Sequence, residues 1–222
     1  MGFRKNPPVL QCAMAIYSLN HKSIGRTTHR AGRAGAHIRY ISRRTAEPVI
    51  MSNLMPKQWQ QAKRWLDQQE RKGRKNARVA DVVMVALPRE LTRQQRRELV
   101  QDYLHSVTGN AVPWYVAIHQ TGEDEHNPHA HIVIRDSSPV DGRRVLQMSE
   151  RGSTKRIRAK WAERASIALT QAGHDVTIDH RSHRARGLED KPTRHRGWRE
   201  TKAPQRAKRP FYKRKKGIEL SL

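Results

Sequence analysis

The chain has 222 residues, and its 45 lysines and arginines against 20 acidic residues give a formal charge of +25 at neutral pH. This excess would repel itself without an anionic partner, so nucleic acid is the first candidate and an anionic membrane surface the second. No stretch approaches the roughly 18 consecutive apolar residues of a spanning helix, which predicts a cytoplasmic protein without membrane insertion. The single cysteine, Cys12, excludes an internal disulfide and a cysteine-based zinc site. Any metal would therefore be held by histidines and carboxylates.

The predicted elements mix strands and helices. In chain order they are a strand over 14–19, a helix from a cap at Thr27 or Thr28 to about Arg44, a helix over 56–72, a strand over 79–87, a helix from Thr92 to Gly109, strands over 112–119 and 129–134, a helix over 155–172, and a short strand over 176–179. This order favours an α+β fold, with a sheet covered by helices on one side, over a parallel βαβ repeat.

The composition divides the chain into three parts. Residues 1–13 are predicted to be an irregular leader, 14–189 the folded domain, and 190–222 a basic, disordered tail. Between 191 and 216, twelve lysines and arginines stand against one acid, Glu200. A polyanion-binding arm is favoured over a tail that only adds solubility. The tail cations predicted to bind the polyanion are Lys213, Arg214, Lys215 and Lys216.

Three histidines lie at the ends of two predicted strands. His119 closes the strand over 112–119, while His129 and His131 open the strand over 129–134. Side chains alternate between the faces of a strand, so His129 and His131 project from one face, about 6.5 to 7 Å apart. Antiparallel pairing of the two strands would bring His119 to the same point. The pattern predicts a catalytic metal site with open positions, and the alternative is ordinary surface histidines.

Among the five tyrosines, Tyr40 has distinctive neighbours. Residues three and four positions away on its predicted helix are Ala36, His37, Arg43 and Arg44, which form a small, polar and cationic face. Cations and a nearby metal favour the phenolate of a group whose ordinary pKa is about 10, so Tyr40 is the candidate nucleophile. The alternative is an exposed tyrosine on an ordinary basic helix. The cations of this segment, predicted to hold a phosphodiester, are Arg33, Arg39, Arg43 and Arg44.

Six segments carry a more specific pattern. They are MAIYSL at 14–19, AHIRYIS at 36–42, VALPREL at 85–91, AIHQTGEDEHNPHAHIVI at 117–134, AGHDVTIDHRS at 172–182 and PTRHRG at 192–197. Together they resemble the MobA/MobL class of plasmid mobilisation relaxases, within the wider group of nucleases that carry a histidine-hydrophobic-histidine motif. The tyrosine precedes the histidines, which is the order in relaxases rather than in the replication initiators of that group.

The resemblance implies a mechanism and a set of partners. Tyr40 would attack a scissile phosphate at a plasmid origin of transfer, leaving a 3′ hydroxyl and a 5′ phosphotyrosyl bond that is later resealed. His119, His129 and His131 would hold Mg²⁺ or Mn²⁺. The fold would be a palm-like, mainly antiparallel sheet of five strands. The partners would be plasmid DNA, single-stranded at the nick, together with relaxosome accessory proteins and the conjugative coupling machinery.

The sequence departs from relatives at the acidic positions. Val82 and Met84 occupy the strand where relatives often carry a carboxylate, so Asp81 is the only acid nearby, and Glu123 is a second candidate for a supporting acid. The first alternative function is a non-catalytic basic DNA-binding or relaxosome accessory protein. An RNA-binding protein with a structural metal is disfavoured because the chain has only two phenylalanines for base stacking.

Overall fold

A computed structural model describes residues 17–182 and 184–187 of the chain. The predicted leader over 1–13 and the predicted tail over 190–222, including Lys213 to Lys216, lie outside these residues. The chain divides into two units, Met1–His180 and Arg181–Leu222. Within its described residues, the second unit contains a short 3-10 helix, Arg184–Arg186.

Five strands and four α-helices form the described part of the first unit. They are β1 (Leu19–Gly25), α1 (Arg33–Ile41), β2 (Val49–Asn53), α2 (Trp59–Lys72), β3 (Arg78–Ala86), α3 (Arg93–Thr108), β4 (Trp114–His119), β5 (His129–Ile134) and α4 (Ser153–Gln171). The strands form one sheet in the order β1-β3-β5-β4-β2, and every neighbouring pair is antiparallel. The prediction of an α+β fold around a five-stranded antiparallel sheet is confirmed.

Helices cover both faces of the sheet, so the prediction of helices on one side was wrong. On one face, Tyr103 of α3 and Trp161 of α4 pack into a core with the sheet residues Val83, Val116 and Ile132. The opposite core is formed by α1 and α2 against alternate residues of the same strands. The central strands have apolar side chains on both faces because each face is buried under a helix pair.

The two edge strands of the sheet, β1 and β2, are the ones that the sequence failed to place. The first strand was predicted over 14–19 but spans Leu19–Gly25, where most residues are polar and only Leu19 and Ile24 are buried. Val49–Asn53 forms β2 although no strand was predicted there, whereas residues 176–179, predicted as a strand, form none. An edge strand pairs on one side only and can be short and polar, so its sequence carries a weak signal.

The helix that bears Tyr40 packs closely on α2 through Gly35. A Cβ atom at Gly35 would collide with Oδ1 of Asp67 and would lie 2.8 Å from Cγ of Lys63. The absent side chain thus allows the backbone of α1 to approach α2. Three side chains of α1 are completely buried and fix the helix over the sheet, namely Ala34, Ile38 and Ile41. None of the helices in the described part of the chain combines the length and apolarity needed to cross a membrane.

Candidate active site

The three predicted histidines meet on one face of the sheet. His119 at the end of β4 lies directly opposite His129 at the start of β5, and His131 follows on the same face of β5. One nitrogen from each ring lies within 4.8 Å of a nitrogen from each of the others. The ring centroids are 4.9 to 5.1 Å apart. Antiparallel register therefore converts a spacing in the sequence into a three-nitrogen cluster.

Backbone carbonyls orient two of these rings. Nε2–H of His119 donates to the carbonyl oxygen of Ile41 over 2.7 Å, and Nδ1–H of His129 donates to that of Asn127 over 2.8 Å. These bonds assign the protons, so Nδ1 of His119 and Nε2 of His129 keep their lone pairs. Nδ1 of His119 is buried without a hydrogen-bond partner. An unpartnered buried lone pair facing two other imidazoles is what a metal cation would satisfy.

Burial lowers the pKa of two of the three histidines and so favours their neutral form. Burial, followed by the neighbouring histidines and Arg43, lowers the pKa of His131 from 6.5 to about 3. Burial is also the main cause that lowers the pKa of His119, whose side chain is fully enclosed. Neutral imidazole is the form that coordinates a metal. The residues present therefore fit a divalent cation at neutral pH.

The acids near the cluster differ from those predicted. Asp81 lies on the opposite face of the sheet, where it is fully buried, accepts hydrogen bonds from Arg78 and lies 2.7 Å from Nε2 of His21. Met84 of β3 pairs with His131 of β5 and lies on the same face as the histidines. Asp81 is three residues from Met84 on the same strand, so its side chain lies on the opposite face. The expectation that Asp81 supports the histidines was wrong. Glu123 belongs to a 3-10 turn after β4, and its side chain lies outside the described atoms.

Asp124, in the same turn, brings a carboxylate to the cluster instead. Its Oδ2 lies 3.6 Å from Nδ1 of His119, the nitrogen that lacks a hydrogen-bond partner. This distance is too long for a hydrogen bond but places an oxygen donor beside the three nitrogens.

Tyr40 lies at the C-terminal end of α1 and is 57% exposed, which is unusual for a large ring and leaves it accessible to a substrate. The guanidinium carbon of Arg43 is 4.7 Å from the centre of the Tyr40 ring. The next residue, Ile41, is the one whose carbonyl orients His119. The structure thus brings the predicted nucleophile, a cationic side chain and the three-histidine cluster into one region.

His37 joins Tyr40 to the cluster, and sequence reasoning did not select it as a site residue. Its ring is stacked 6.3 Å from that of Tyr40 and meets the edge of the His131 ring at 6.1 Å. Its Nε2 is buried without a hydrogen-bond partner, and burial and Arg33 lower its pKa. Its spacing of three residues from Tyr40 on a helix was the available signal.

A groove of about 240 Å³ opens beside His37 and His131. Arg33 and Lys22 supply positive charge to its walls, and Met84 and Val82 supply apolar surface. Of the other predicted DNA-binding cations, Arg39 is exposed on α1, and Arg44 is exposed in the turn that follows the helix. The region can hold a divalent cation, an accessible phenol and a negatively charged ester in close proximity.

Comparisons with known proteins place the chain in a family. The chain matches the MobA/MobL family over residues 26–141 and 135–206. It is 30% identical to Mobilization protein A of Escherichia coli over 213 residues, covering 83% of this chain and 30% of that protein. It is 28% identical to Mobilization protein MobL of Acidithiobacillus ferridurans, covering 83% of this chain and 62% of that protein. The chain therefore spans less than two thirds of either relative.

A structure solved in work on the molecular basis of vancomycin resistance transfer in Staphylococcus aureus has a similar fold. The TM-score is 0.58 at 18% sequence identity, and the alignment covers 76% of this chain and all of that one. The family match confirms the resemblance drawn from the motifs, and the structural match supports the fold.

Proposed function

The chain belongs to the MobA/MobL family, and we propose that it is a relaxase that nicks one DNA strand at a plasmid origin of transfer and rejoins it after transfer. The observation that carries this proposal is that an exposed tyrosine lies close to a three-histidine cluster. His37 contacts both the Tyr40 ring and the His131 ring, and the carbonyl of Ile41, next to Tyr40, binds His119. A DNA-binding protein without catalysis has no need for three metal-ready nitrogens beside an accessible phenol.

His119, His129 and His131 would hold the cation, and the carboxylate of Asp124 is placed to add an oxygen donor. When bound, the cation polarises the scissile phosphate and stabilises charge on its oxygens. Imidazole donors bind Mn²⁺ better than Mg²⁺, which prefers oxygen, so Mn²⁺ is the cation we expect to bind more tightly.

Tyr40 would carry out the covalent step. Its phenolic oxygen attacks the phosphorus, forming a phosphotyrosyl bond, while the bond from phosphorus to the 3′ oxygen breaks. The phenol loses its proton to solvent, and the departing 3′ oxygen gains one. The guanidinium of Arg43, 4.7 Å from the centre of the ring, holds the ring in place.

The reverse reaction reseals the strand. Because one phosphodiester replaces another, the 3′ hydroxyl can attack the phosphotyrosyl bond without a nucleotide cofactor. Arg33 and Lys22 line the groove beside the cluster and would neutralise the phosphates that flank the scissile one. The partners we propose are plasmid DNA, single-stranded at the nick, with relaxosome accessory proteins and the coupling machinery of conjugation.

The experiment incubates the protein with Mn²⁺ and single-stranded DNA that contains its own plasmid's transfer origin, and measures covalent protein-DNA adduct on a denaturing gel. Tyr40→Phe removes the attacking oxygen and should abolish the adduct. Tyr17→Phe is the matched control, because its hydroxyl faces the carbonyl of Arg158 in α4, which packs on the opposite face of the sheet. It should form as much adduct as the wild type.

Two results would overturn the proposal. One is a wild-type protein that forms no adduct although it binds the DNA, which would favour a non-catalytic DNA-binding role. The other is a Tyr40→Phe protein that forms as much adduct as the wild type.

A further inference from the structure

A second cationic cavity, of about 660 Å³, lies at the other end of the sheet from the histidines. It opens where β3 begins, at Arg78, and where β5 ends, before Arg135, whereas His129 begins β5. The length of β5 separates the two regions by about 17 Å at the usual rise per strand residue. The cavity is thus distinct from the candidate active site and has no part in the chemistry proposed there.

One wall of this cavity is a loop that folds around Asp136. Its Oδ1 accepts hydrogen bonds from the backbone N–H groups of Val145 and Leu146 over 3.0 and 2.7 Å, and its Oδ2 accepts one from Met148 over 2.8 Å. Three backbone donors occupy this carboxylate, so it shapes the loop instead of pairing with an arginine. The loop presents Arg144 to the cavity.

The other wall is the connection between α2 and β3, which Arg26 fixes. The backbone N–H of Arg26 donates to the carbonyl of Ala77 over 3.0 Å, and its guanidinium donates to the carbonyls of Gly73 and Arg74. These bonds hold the connection in a defined shape while the side chain of Arg74 stays exposed. Both walls are therefore built by specific hydrogen bonds.

Most cations of this cavity lack an acidic partner. Among the described residues, no carboxylate lies within ion-pair distance of Lys72, Arg74, Arg135 or Arg144. Arg135 is partly buried and donates to the carbonyl of Val79 over 3.2 Å, and burial lowers its pKa. Two further cations of the cavity have carboxylate partners, Arg78 with Asp81 and Arg143 with Asp141, and Arg144 donates to the hydroxyl of Ser149. Guanidinium groups without a carboxylate partner that line one cavity would be stabilised by an anion.

We propose that this cavity binds sugar-phosphate backbone of DNA at a point remote from the scissile phosphate. The inference takes DNA as the ligand and so rests on the proposed function. Guanidinium groups match phosphate oxygens with two parallel hydrogen bonds, and convergent groups on two fixed walls can contact successive phosphates. A strand held at both ends of the sheet would be fixed in register as well as bound, which places one phosphate at Tyr40.

The test measures binding of a fluorescein-labelled oligothymidylate of about 30 nucleotides by fluorescence anisotropy at several salt concentrations. It uses the full chain with Tyr40→Phe, in EDTA, so that no nicking can occur. Arg74→Ala with Arg144→Ala removes one exposed cation from each wall. The matched control is Arg93→Ala with Arg97→Ala, which removes the same charge from exposed positions of α3.

The slope of log K against log salt is negative. We expect the cavity variant to reduce its magnitude by about 1.4, because each lost contact to a single strand contributes about 0.7. If the parent and the variant bind equally at 1 M salt, this difference in slope corresponds to a loss of affinity of about 25-fold at 0.1 M salt. The control variant should bind like the parent. Arg74→Lys with Arg144→Lys should keep most of the slope, since lysine also contacts phosphate as a point charge.

Equal losses in the cavity and control variants would overturn the inference, because they would show an effect of net charge alone. An unchanged slope in the cavity variant would overturn it as well. So would displacement of the oligonucleotide by polyglutamate as effective as that by unlabelled DNA of equal charge. The two proposals can also be separated. If the slope depends on the cavity arginines but the wild-type protein forms no adduct with its transfer origin, the result supports this inference and contradicts the proposed nicking.

Discussion

Nε2–H of His119 donates a hydrogen bond to the carbonyl oxygen of Ile41 over 2.7 Å. Ile41 follows Tyr40 and ends α1, so the bond joins a strand histidine to the helix that carries the proposed nucleophile. The 3-10 turn Arg44–Ala46, just after this helix, also contacts the turn that bears Asp124. Any shift of α1 relative to the sheet would therefore disturb both the tyrosine and a metal ligand.

Replacing a ligand should separate chemistry from DNA binding. We expect His129→Ala or His131→Ala to abolish adduct formation, because two nitrogens hold a cation much less tightly than three. Affinity for single-stranded DNA and its salt dependence should remain, since they depend on lysine and arginine contacts to phosphates. His105→Ala, an exposed position on α3, is the control. Loss of DNA binding together with cleavage would instead indicate that the histidines maintain the fold.

The lowered pKa of His131 predicts how stability depends on pH. Its value of about 3 in the folded protein lies below the ordinary 6.5 of an unfolded chain, so between these values the unfolded state binds more protons. The contribution of His131 is fully present above pH 6.5 and is lost as the pH falls toward 3. Thermal unfolding midpoints measured in EDTA should fall less steeply with decreasing pH for His131→Asn than for the wild type. Identical pH dependence of the two proteins would contradict this assignment.

Arg43 should affect the rate of the covalent step more than the affinity for DNA. Its guanidinium lies over the Tyr40 ring, and such contacts at exposed sites contribute about 0.5 to 1 kcal/mol. Arg43→Ala should therefore slow adduct formation by at least about two- to fivefold in single-turnover experiments with saturating protein. Arg39→Ala, which removes an exposed cation from the same helix, should change affinity without changing this rate. Equal rates for wild type and Arg43→Ala would exclude the positioning role.

Gly35 should be intolerant of a side chain. A Cβ atom there collides with Asp67 and approaches Lys63, so Gly35→Ala must displace these side chains or move α1 away from α2. We expect a loss of about 1 to 2 kcal/mol in the free energy of unfolding, because overpacking outweighs the helix propensity gained. Adduct formation should also fall because Tyr40 moves with α1. A higher free energy of unfolding for Gly35→Ala would show that propensity dominates and that the helices are not closely packed here.

The central part of the fold could be predicted from the sequence, and its edges could not. The strand over 129–134 occurs as predicted, and the helix predicted from Thr92 begins there with a capping box between Thr92 and Gln95. Burial on both faces and local hydrogen bonds leave clear patterns in the sequence. Val49–Asn53 was missed because an edge strand is held by its pairing with β4, which is a long-range contact. The short segment 176–179 alternates apolar and polar residues like a strand but has no pairing partner in the sheet.

The same distinction applies to the candidate site. The spacing of His119, His129 and His131 was sufficient to predict their cluster, because register follows from the two strands alone. The role of Asp81 was mispredicted because the face on which it lies depends on how β3 pairs with β5. His37 required knowledge of which side of α1 faces the sheet. Contacts between elements, rather than patterns within them, decide these positions.

The identity of the residue that becomes attached to DNA tests the account most directly. The wild-type adduct formed with Mn²⁺ should be digested with trypsin and nuclease, and the modified peptide identified by mass spectrometry. Cleavage after Arg39 and Arg43 releases residues 40–43, a peptide in which Tyr40 is the only tyrosine. The account predicts that the nucleotide is attached to Tyr40 through a 5′ phosphate. Attachment to any other residue would contradict it.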